Sequence, residues 1–465
     1  MLWLASLFVT LQKPMFVDVT GQLGMAIGND QACWIDLDRD GWTDLVAGGV
    51  VWKNQAGKSF TKLQEGVGTV VAADFDNDGF PDLFSWSQQK LWRNDSGKSF
   101  KEYALPTLPA TISRGACWGD FNNDGFVDLY VGGFEDWDKN ITYPSFILIN
   151  RGGKSFEVTW SKQDFRSRGI TACDFNRDGA VDVYSSNYRL QPNQLWVNDG
   201  KGSFTDKAAG LNAIGTSTGF SGGHSIGAAW GDFDNDGEFD LFAGNFAHVD
   251  SRGDQPKSRF LHNLGTKGGF KFDDLGTCGV WYQESYASPV AGDFDNDSNL
   301  DLYFTTVYAN ASFGKNNFPV LYRNEMSFKF VDVTESSGLA KLPPTYQAAF
   351  ADFRNDGRLA LCTAGKLFAN ENNSGNWLEV RLEGDGKKVN RSAIGAQVRL
   401  RLKGKTLSRQ VEAGTGEGNQ NDLKLHFGLG NEKGKVDLEV TWPGGKKQTV
   451  KRVSTNRIVE IKFRG

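Results

Sequence analysis

Histidine and cysteine are scarce in this sequence, with four and five residues among 465. The cysteines are odd in number and follow no CxxC or CxxH spacing, which argues against both a disulfide framework and a zinc site. Cys33, Cys117 and Cys173 each precede an acidic loop by one to three residues, the place of a buried inner strand. With so few imidazoles a histidine-based constellation has little to draw on, and no catalytic residue is assigned. No stretch reaches the ~18 consecutive apolar residues of a membrane helix, so no transmembrane segment is expected. Leu2 to Leu11 is apolar and has the length of a signal-peptide core, without a basic start or a small-residue cleavage site. Residues 1–14 are set apart as a signal segment or tail.

What is abundant is glycine, with 56 residues, and aromatic side chains at 13%. Many tight turns around large apolar groups suggest β-structure. Charge is unevenly spread. Residues 376–465 carry 19 Lys/Arg against 10 Asp/Glu, a net of +9, and the other 375 carry 32 against 46, or −14. The split suggests two domains, and an acidic body speaks against nucleic acid as a partner.

One ten-residue pattern occurs seven times: DLDRDGWTDL from Asp36, DFDNDGFPDL from Asp74, DFNNDGFVDL from Asp120, DFNRDGAVDV from Asp174, DFDNDGEFDL from Asp232, DFDNDSNLDL from Asp293 and DFRNDGRLAL from Asp352. Successive starts lie 38 to 61 residues apart, room for four strands and their loops. Short apolar runs flank each copy, and a third run ends in Asn54, Asn94, Asn150, Asn198, Asn263, Asn324 or Asn370. The seventh unit lacks a fourth strand, but Phe16-Val17-Asp18-Val19-Thr20 repeats the fourth-strand sequence Phe330-Val331-Asp332-Val333-Thr334. The expected fold is therefore all-β: a seven-bladed β-propeller over 15–375, its last blade closed by the N-terminal strand, plus a small β-domain over 376–465. Closure leaves no sheet edge exposed.

Carboxylates at loop positions 1, 3, 5 and 9, with Gly at 6, aim several hard oxygens at one centre and favour calcium. The candidate ligands are Asp36, Asp38, Asp40 and Asp44; Asp74, Asp76, Asp78 and Asp82; Asp120, Asn122, Asp124 and Asp128; Asp174, Asn176, Asp178 and Asp182; Asp232, Asp234, Asp236 and Asp240; and Asp293, Asp295, Asp297 and Asp301. An EF-hand would need Glu at position 12 and flanking helices, neither of which is present. Ser298 replaces the loop glycine of the sixth copy. The seventh has Arg354 at position 3 and Ala360 at position 9, so it is expected to stay metal-free, with the guanidinium in the cation's place. About six structural Ca²⁺ ions would take the acidic region from −14 to −2.

These loops resemble the FG-GAP or VCBS repeats of the integrin α-chain propeller. The resemblance implies calcium that rigidifies each blade and a ring whose loop faces bind partners. Ala393-Ile394-Gly395-Ala396, Gly414 through Gln420, His426-Phe427-Gly428-Leu429-Gly430 and Trp442-Pro443-Gly444-Gly445 resemble the ASPIC and UnbV domain, which implies a secreted, extracellular or periplasmic calcium-binding protein. His426 lies on an alternating strand and is read as structural.

Weaker signals are read against the fold. Gly219-Phe220-Ser221-Gly222-Gly223 matches a nucleophile elbow, but no strand-to-helix turn accompanies it. Gly-Lys-Ser at Gly57, Gly97 and Gly153 reads as hairpin turns. Arg252-Gly253-Asp254 is an adhesion tripeptide in a polar loop, Asn140, Asn310 and Asn390 stand in sequons, and the basic C-terminal domain is suited to acidic polysaccharide or a membrane surface. The leading reading is a calcium-binding scaffold that presents a propeller face to a protein or glycan, its oligomeric state open. The alternative is a polysaccharide lyase or sugar dehydratase, which would gather His224, His248, Tyr188 and Arg189 at an open mouth of the ring.

Overall fold

The structure is a computed structural model and describes residues 14–247, 249–250, 253–372 and 374–465. Its architecture is all-β. Residues 16–370 form seven four-stranded antiparallel sheets and two short hairpins. In the first sheet Cys33–Ile35, Asp44–Ala47, Val50–Asn54 and Phe60–Glu65 pair in chain order. The seventh is built from Ala348–Ala351, Ala360–Thr363 and Lys366–Asn370, and its outer strand is Phe16–Asp18, with Phe16 opposite Asn370 and Asp18 opposite Phe368. The N-terminal strand thus completes the last sheet.

The first strands of the sheets touch one another in cyclic order. Cys33–Ile35 meets Val70–Ala73, the series continues through Ala116–Gly119, Ser167–Cys173, His224–Gly231 and Tyr286–Gly292, and Ala348–Ala351 returns to Cys33–Ile35. This is the ring of a β-propeller. Burial follows the radius: every first strand is almost wholly buried, whereas outer strands such as Phe60–Glu65 and Phe100–Tyr103 keep one buried apolar anchor and leave the rest partly or fully exposed. Aromatic pairs between neighbouring sheets, including Phe84 with Trp118 and Phe242 with Phe304, fill the wedges.

The asparagine that ends each third strand fastens the ring. Nδ2 of Asn54, Asn94, Asn150, Asn198, Asn263, Asn324 and Asn370 donates to the carbonyl of Phe353, Leu37, Phe75, Phe121, Phe175, Phe233 and Phe294, at 2.7 to 3.1 Å. Each acceptor lies in the acidic loop of the preceding sheet, and the Asn54–Phe353 bond joins the first sheet to the seventh.

Residues 376–465 form a three-stranded and a four-stranded sheet. They are not an appendage. The stretch 413–420 runs along the axis of the ring: Trp118 N donates to Ala413 O at 3.0 Å, Gly416 N to Ala228 O at 3.0 Å, and Gln420 N to Ala32 O at 2.9 Å. Side chains serve the remaining sheets. Ala72 N donates to Gln420 Oε1, Gln410 Nε2 to Ala172 O, Glu417 N to Ser288 Oγ, and Ala348 N to Asn419 Oδ1. The glycines provide room, since a Cβ on Gly416 or Gly418 would stand 2.3 Å from Ser288 Oγ or 2.6 Å from Trp86 Cζ2. Glu417 is fully buried and ion-paired to Arg168. No helix among the described residues is long and apolar enough to cross a membrane.

All five cysteines are free, and Cys33, Cys117 and Cys173 are buried on first strands. Asn390 is also buried, bonding Ile394 through both side-chain atoms, so that sequon is closed to a glycan whereas Asn140 is exposed. Leu2–Leu11, His248 and Arg252 lie outside the described residues.

Candidate metal centres

Each acidic loop is a nest of short turns made by its own carboxylates. In the second, Asp74 accepts from Asp78 N at 3.1 Å and Gly79 N at 2.7 Å, Asp76 accepts from Asp78 N, and Asp78 accepts from Phe80 N. Two positions require a left-handed backbone: position 4, as at Asn77 (φ 57°), and position 6, as at Gly79 (φ 101°). Ser298 adopts the same region at φ 85° without a glycine's freedom.

The position-9 aspartate works differently from the other three. In the first loop Asp44 accepts Leu37 N at 2.9 Å through one oxygen and Asn54 N at 2.7 Å through the other, tying loop to third strand. Asp82, Asp128, Asp240 and Asp301 repeat both bonds, and Asp182 accepts from Asn198 N. Positions 1, 3 and 5 converge instead. In the sets Asp36/Asp38/Asp40, Asp74/Asp76/Asp78, Asp232/Asp234/Asp236 and Asp293/Asp295/Asp297, one oxygen from each residue lies within 4.8 Å of the others. In the third and fourth loops the side-chain amides of Asn122 and Asn176 donate to Asp124 and Asp178 at 3.0 and 2.9 Å.

The electrostatics of these clusters favour a cation. Burial, reinforced by neighbouring carboxylates, pushes Asp36 and Asp295 up to about 6, Asp74, Asp120 and Asp174 to about 7, and Asp44 and Asp293 to about 8. Asp36 Oδ1, Asp182 Oδ2, Asp232 Oδ1 and Asp295 Oδ1 are buried with no hydrogen-bond partner. A divalent ion with oxygen ligands fits both facts. The residue before the third-strand asparagine matches the loop's charge: Lys53, Arg93, His262 and Arg323 face the loops with four aspartates, whereas Ile149 and Val197 face those where asparagine holds position 3. Lys53 pairs with Asp38, Arg93 lies 2.7 Å from Asp76, and His262 Nδ1 lies 3.0 Å from Asp240.

The seventh loop differs from expectation. Arg354 turns away to Glu371 at 2.8 Å rather than filling a cation's place. The nearest ammonium is Lys424, which donates to Asp352 O at 3.2 Å and Asn355 Oδ1 at 2.7 Å and pairs with buried Glu379 at 2.9 Å.

Residues 376–465 cover this face and reach all seven loops. Arg381 Nη1 lies 3.1 Å from Asp36 Oδ2, Arg391 N donates to Asn77 Oδ1, Gly444 N to Gly179 O, Ser408 N to Asp232 Oδ2 and Gly430 N to Asn296 O. Gly125 abuts Lys387 O, and His426 bonds Gly357 O at 3.2 Å. Burial lowers His426 to about 3, so its neutral ring donates Nε2–H. The charge asymmetry of the sequence is complementarity within one molecule.

At the opposite mouth His224 is buried with its ring 4.9 Å from that of Tyr188, and Arg189 is bound to Glu135 at 2.8 Å and stacked 3.3 Å above Trp137. His224 and Tyr188 are thus neighbours, and Arg168, paired to Glu417, lies over the Tyr188 ring at 5.4 Å. Gly219–Gly223 leads into the strand His224–Gly231 with no helix.

Comparison with known proteins agrees with this construction. Residues 74–131 and 174–243 match the FG-GAP-like repeat, and residues 386–464 match ASPIC and UnbV. The chain is 27% identical over 309 residues to cartilage acidic protein 1 of Mus musculus and 29% identical over 317 residues to that of Xenopus tropicalis. Each alignment covers 64% of this chain and 45% of the relative, so the chain spans about half the length of these proteins. Among solved structures it is similar to an Agrocybe aegerita lectin that recognises non-reducing terminal N-acetylglucosamine, at 14% identity and TM-score 0.44, covering 75% of this chain and 91% of that one.

Proposed function

For a chain that carries FG-GAP-like repeats and an ASPIC and UnbV domain and is homologous to cartilage acidic protein 1, we propose a calcium-binding, extracellular or periplasmic scaffold that presents the propeller face opposite its C-terminal domain to a protein or glycan. The observation that carries the calcium reading is the convergence of carboxylates, the first of each set buried or half-buried and several with unpartnered oxygens, in loops lacking enough positive charge to neutralise them. Asp36, Asp74, Asp120, Asp174, Asp232 and Asp293 would hold the ions together with positions 3 and 5 of each loop. The position-9 aspartates would brace the loops and supply a further oxygen. Bound calcium would stabilise the loops on which residues 376–465 rest.

The binding reading follows from what is covered and what is free. The loop face is occupied by the chain's own C-terminal domain, whereas the other mouth exposes Ile112, Trp137 and Ile141, with Trp137 65% accessible and Arg189 stacked on it. An aromatic ring beside a guanidinium suits a saccharide or a protein loop. The adhesion tripeptide adds little, because Gly253 and Asp254 are exposed but Arg252 is outside the described residues.

The test is metal content and thermal unfolding of purified protein with and without a chelator. About six calcium ions per chain and a large fall in Tm on chelation are expected; no bound calcium and an unchanged Tm would overturn the reading. Binding is tested on a glycan and protein array with wild type and Trp137→Ala, where loss of a ligand only in the variant is expected.

A further inference from the structure

The fifth loop departs from the others in the atom that its third strand offers. Lys53, Arg93 and Arg323 bring cations that cannot ligate a metal, and Ile149 and Val197 bring hydrocarbon, whereas His262 brings an imidazole nitrogen. Its Nδ1 lies 3.0 Å from Asp240 Oδ1 and 3.6 Å from Asp234 Oδ2, and the three side chains form a set whose ligand atoms all lie within 4.8 Å. Two ligands that each stand roughly 2.1 Å from one metal, at angles near those of octahedral or tetrahedral coordination, stand about 3 to 3.5 Å from each other; the 3.0 Å contact, a hydrogen bond in this structure, falls in that range and the 3.6 Å one just beyond it, close enough for both oxygens to share an ion with Nδ1. The ring of Phe328, 5.5 Å from the imidazole and nearly perpendicular to it, fixes its orientation.

A second observation points the same way. Asp232 is fully buried, and its Oδ1 has no hydrogen-bond partner. In the second, third, fourth and sixth loops the position-1 carboxylate accepts from the backbone N–H groups of positions 5 and 6. Asp232 Oδ2 instead accepts from Ser408 N at 2.8 Å, while an oxygen of Asp232 converges with those of Asp234 and Asp236. A mixed nitrogen and oxygen donor set suits a first-row transition metal better than calcium, which takes oxygen alone.

We infer that the fifth loop, with His262 as a nitrogen ligand beside Asp234 and Asp240, and with Asp234 shared with the adjoining Asp232/Asp234/Asp236 set, is a site for a divalent transition metal such as Mn²⁺ or Zn²⁺. The inference rests on the reading of the loops as cation sites and adds a chemical distinction among them. The experiment titrates the full-length, calcium-saturated protein with Zn²⁺ by calorimetry, alongside a calcium stoichiometry on the same preparation. One Zn²⁺ per chain should bind and displace one Ca²⁺, with affinity falling about 100-fold or more in His262→Lys, which restores the residue type of the first blade. Electron–nuclear double resonance of one equivalent of Mn²⁺ on the unaltered protein should give a ¹⁴N coupling, so the inference stands or falls even where the variant folds poorly. Zn²⁺ binding equally to both proteins, or Mn²⁺ without nitrogen coupling, would overturn the inference. Normal calcium stoichiometry with that result would leave the calcium reading in place.

Discussion

Arg168 Nε stands 2.7 Å from Glu417 Oε1, an ion pair between the fourth sheet of the ring and the stretch that fills its axis. Both residues are almost wholly shielded from solvent, and the guanidinium also lies over the rings of Phe134, Tyr188 and Tyr346 at 5.2 to 5.4 Å. The C-terminal domain is thereby latched at the mouth farthest from where it docks.

Removing one partner of that pair strands a buried charge. Glu417→Ala is expected to destabilise the protein by about 3–5 kcal/mol, read from urea unfolding. The double variant Arg168→Met, Glu417→Leu should recover much of the loss.

The asparagine staples predict a second cost. Asn150 Nδ2 donates to Phe75 O at 2.8 Å and to Val127 O at 3.1 Å, joining two sheets. Asn150→Ala leaves two buried carbonyls without that donor and is expected to cost about 2–3 kcal/mol. A calorimetric Tm series comparing it with Gln55→Ala, which lies on an exposed turn, checks the expectation.

Ser298 holds a position that the other six loops give to glycine, at φ 85°. Ser298→Gly should relieve that strain and raise stability by about 1 kcal/mol. A fall in Tm instead would mean that the lost hydroxyl outweighs the relaxed backbone.

The loops also set the response to pH. Asp36 at about 6, Asp74, Asp120 and Asp174 at about 7, and Asp44 at about 8 all lie above the ordinary carboxylate value of 3.8. Between 3.8 and these values the folded, metal-free chain binds more protons than the unfolded one, so its stability falls as pH rises through that window. After exhaustive chelation Tm should therefore be higher at pH 5 than at pH 8. With excess calcium the order should reverse, because protons then compete with the ion.

Much of this was legible in the sequence because the loop chemistry is local. Asn77 and Gly79 occupy left-handed positions that few other residues tolerate, and Asp74 caps backbone groups four and five residues on, so the pattern recurs wherever the loop does. The pairing of Phe16–Asp18 with Lys366–Asn370 was readable from a repeated pentapeptide. The role of Asn54 and its equivalents was not, since their acceptors are carbonyls of a neighbouring sheet. Docking of residues 376–465 was hidden for the same reason: Gly430, Gly444 and Ser408 make contact through backbone N–H groups, which leave no mark on residue choice. The traces were the spaced glycines Gly414, Gly416 and Gly418 and the opposite charges of the two regions, which read as separation and proved to be attraction.

The pairing of Phe16–Asp18 with the seventh sheet imposes an order of events on synthesis. This strand emerges from the ribosome early, yet its partner Lys366–Asn370 is among the last parts of the ring to be made. Until then Phe16–Asp18 lacks its partner and the growing chain is an open arc with an unpacked sheet face at each end, vulnerable to joining the arc of another nascent chain. Residues 413–420, made after every sheet of the ring, can take their place on its axis only when the first strands that they bond are all present, a step that a product truncated before them cannot reach.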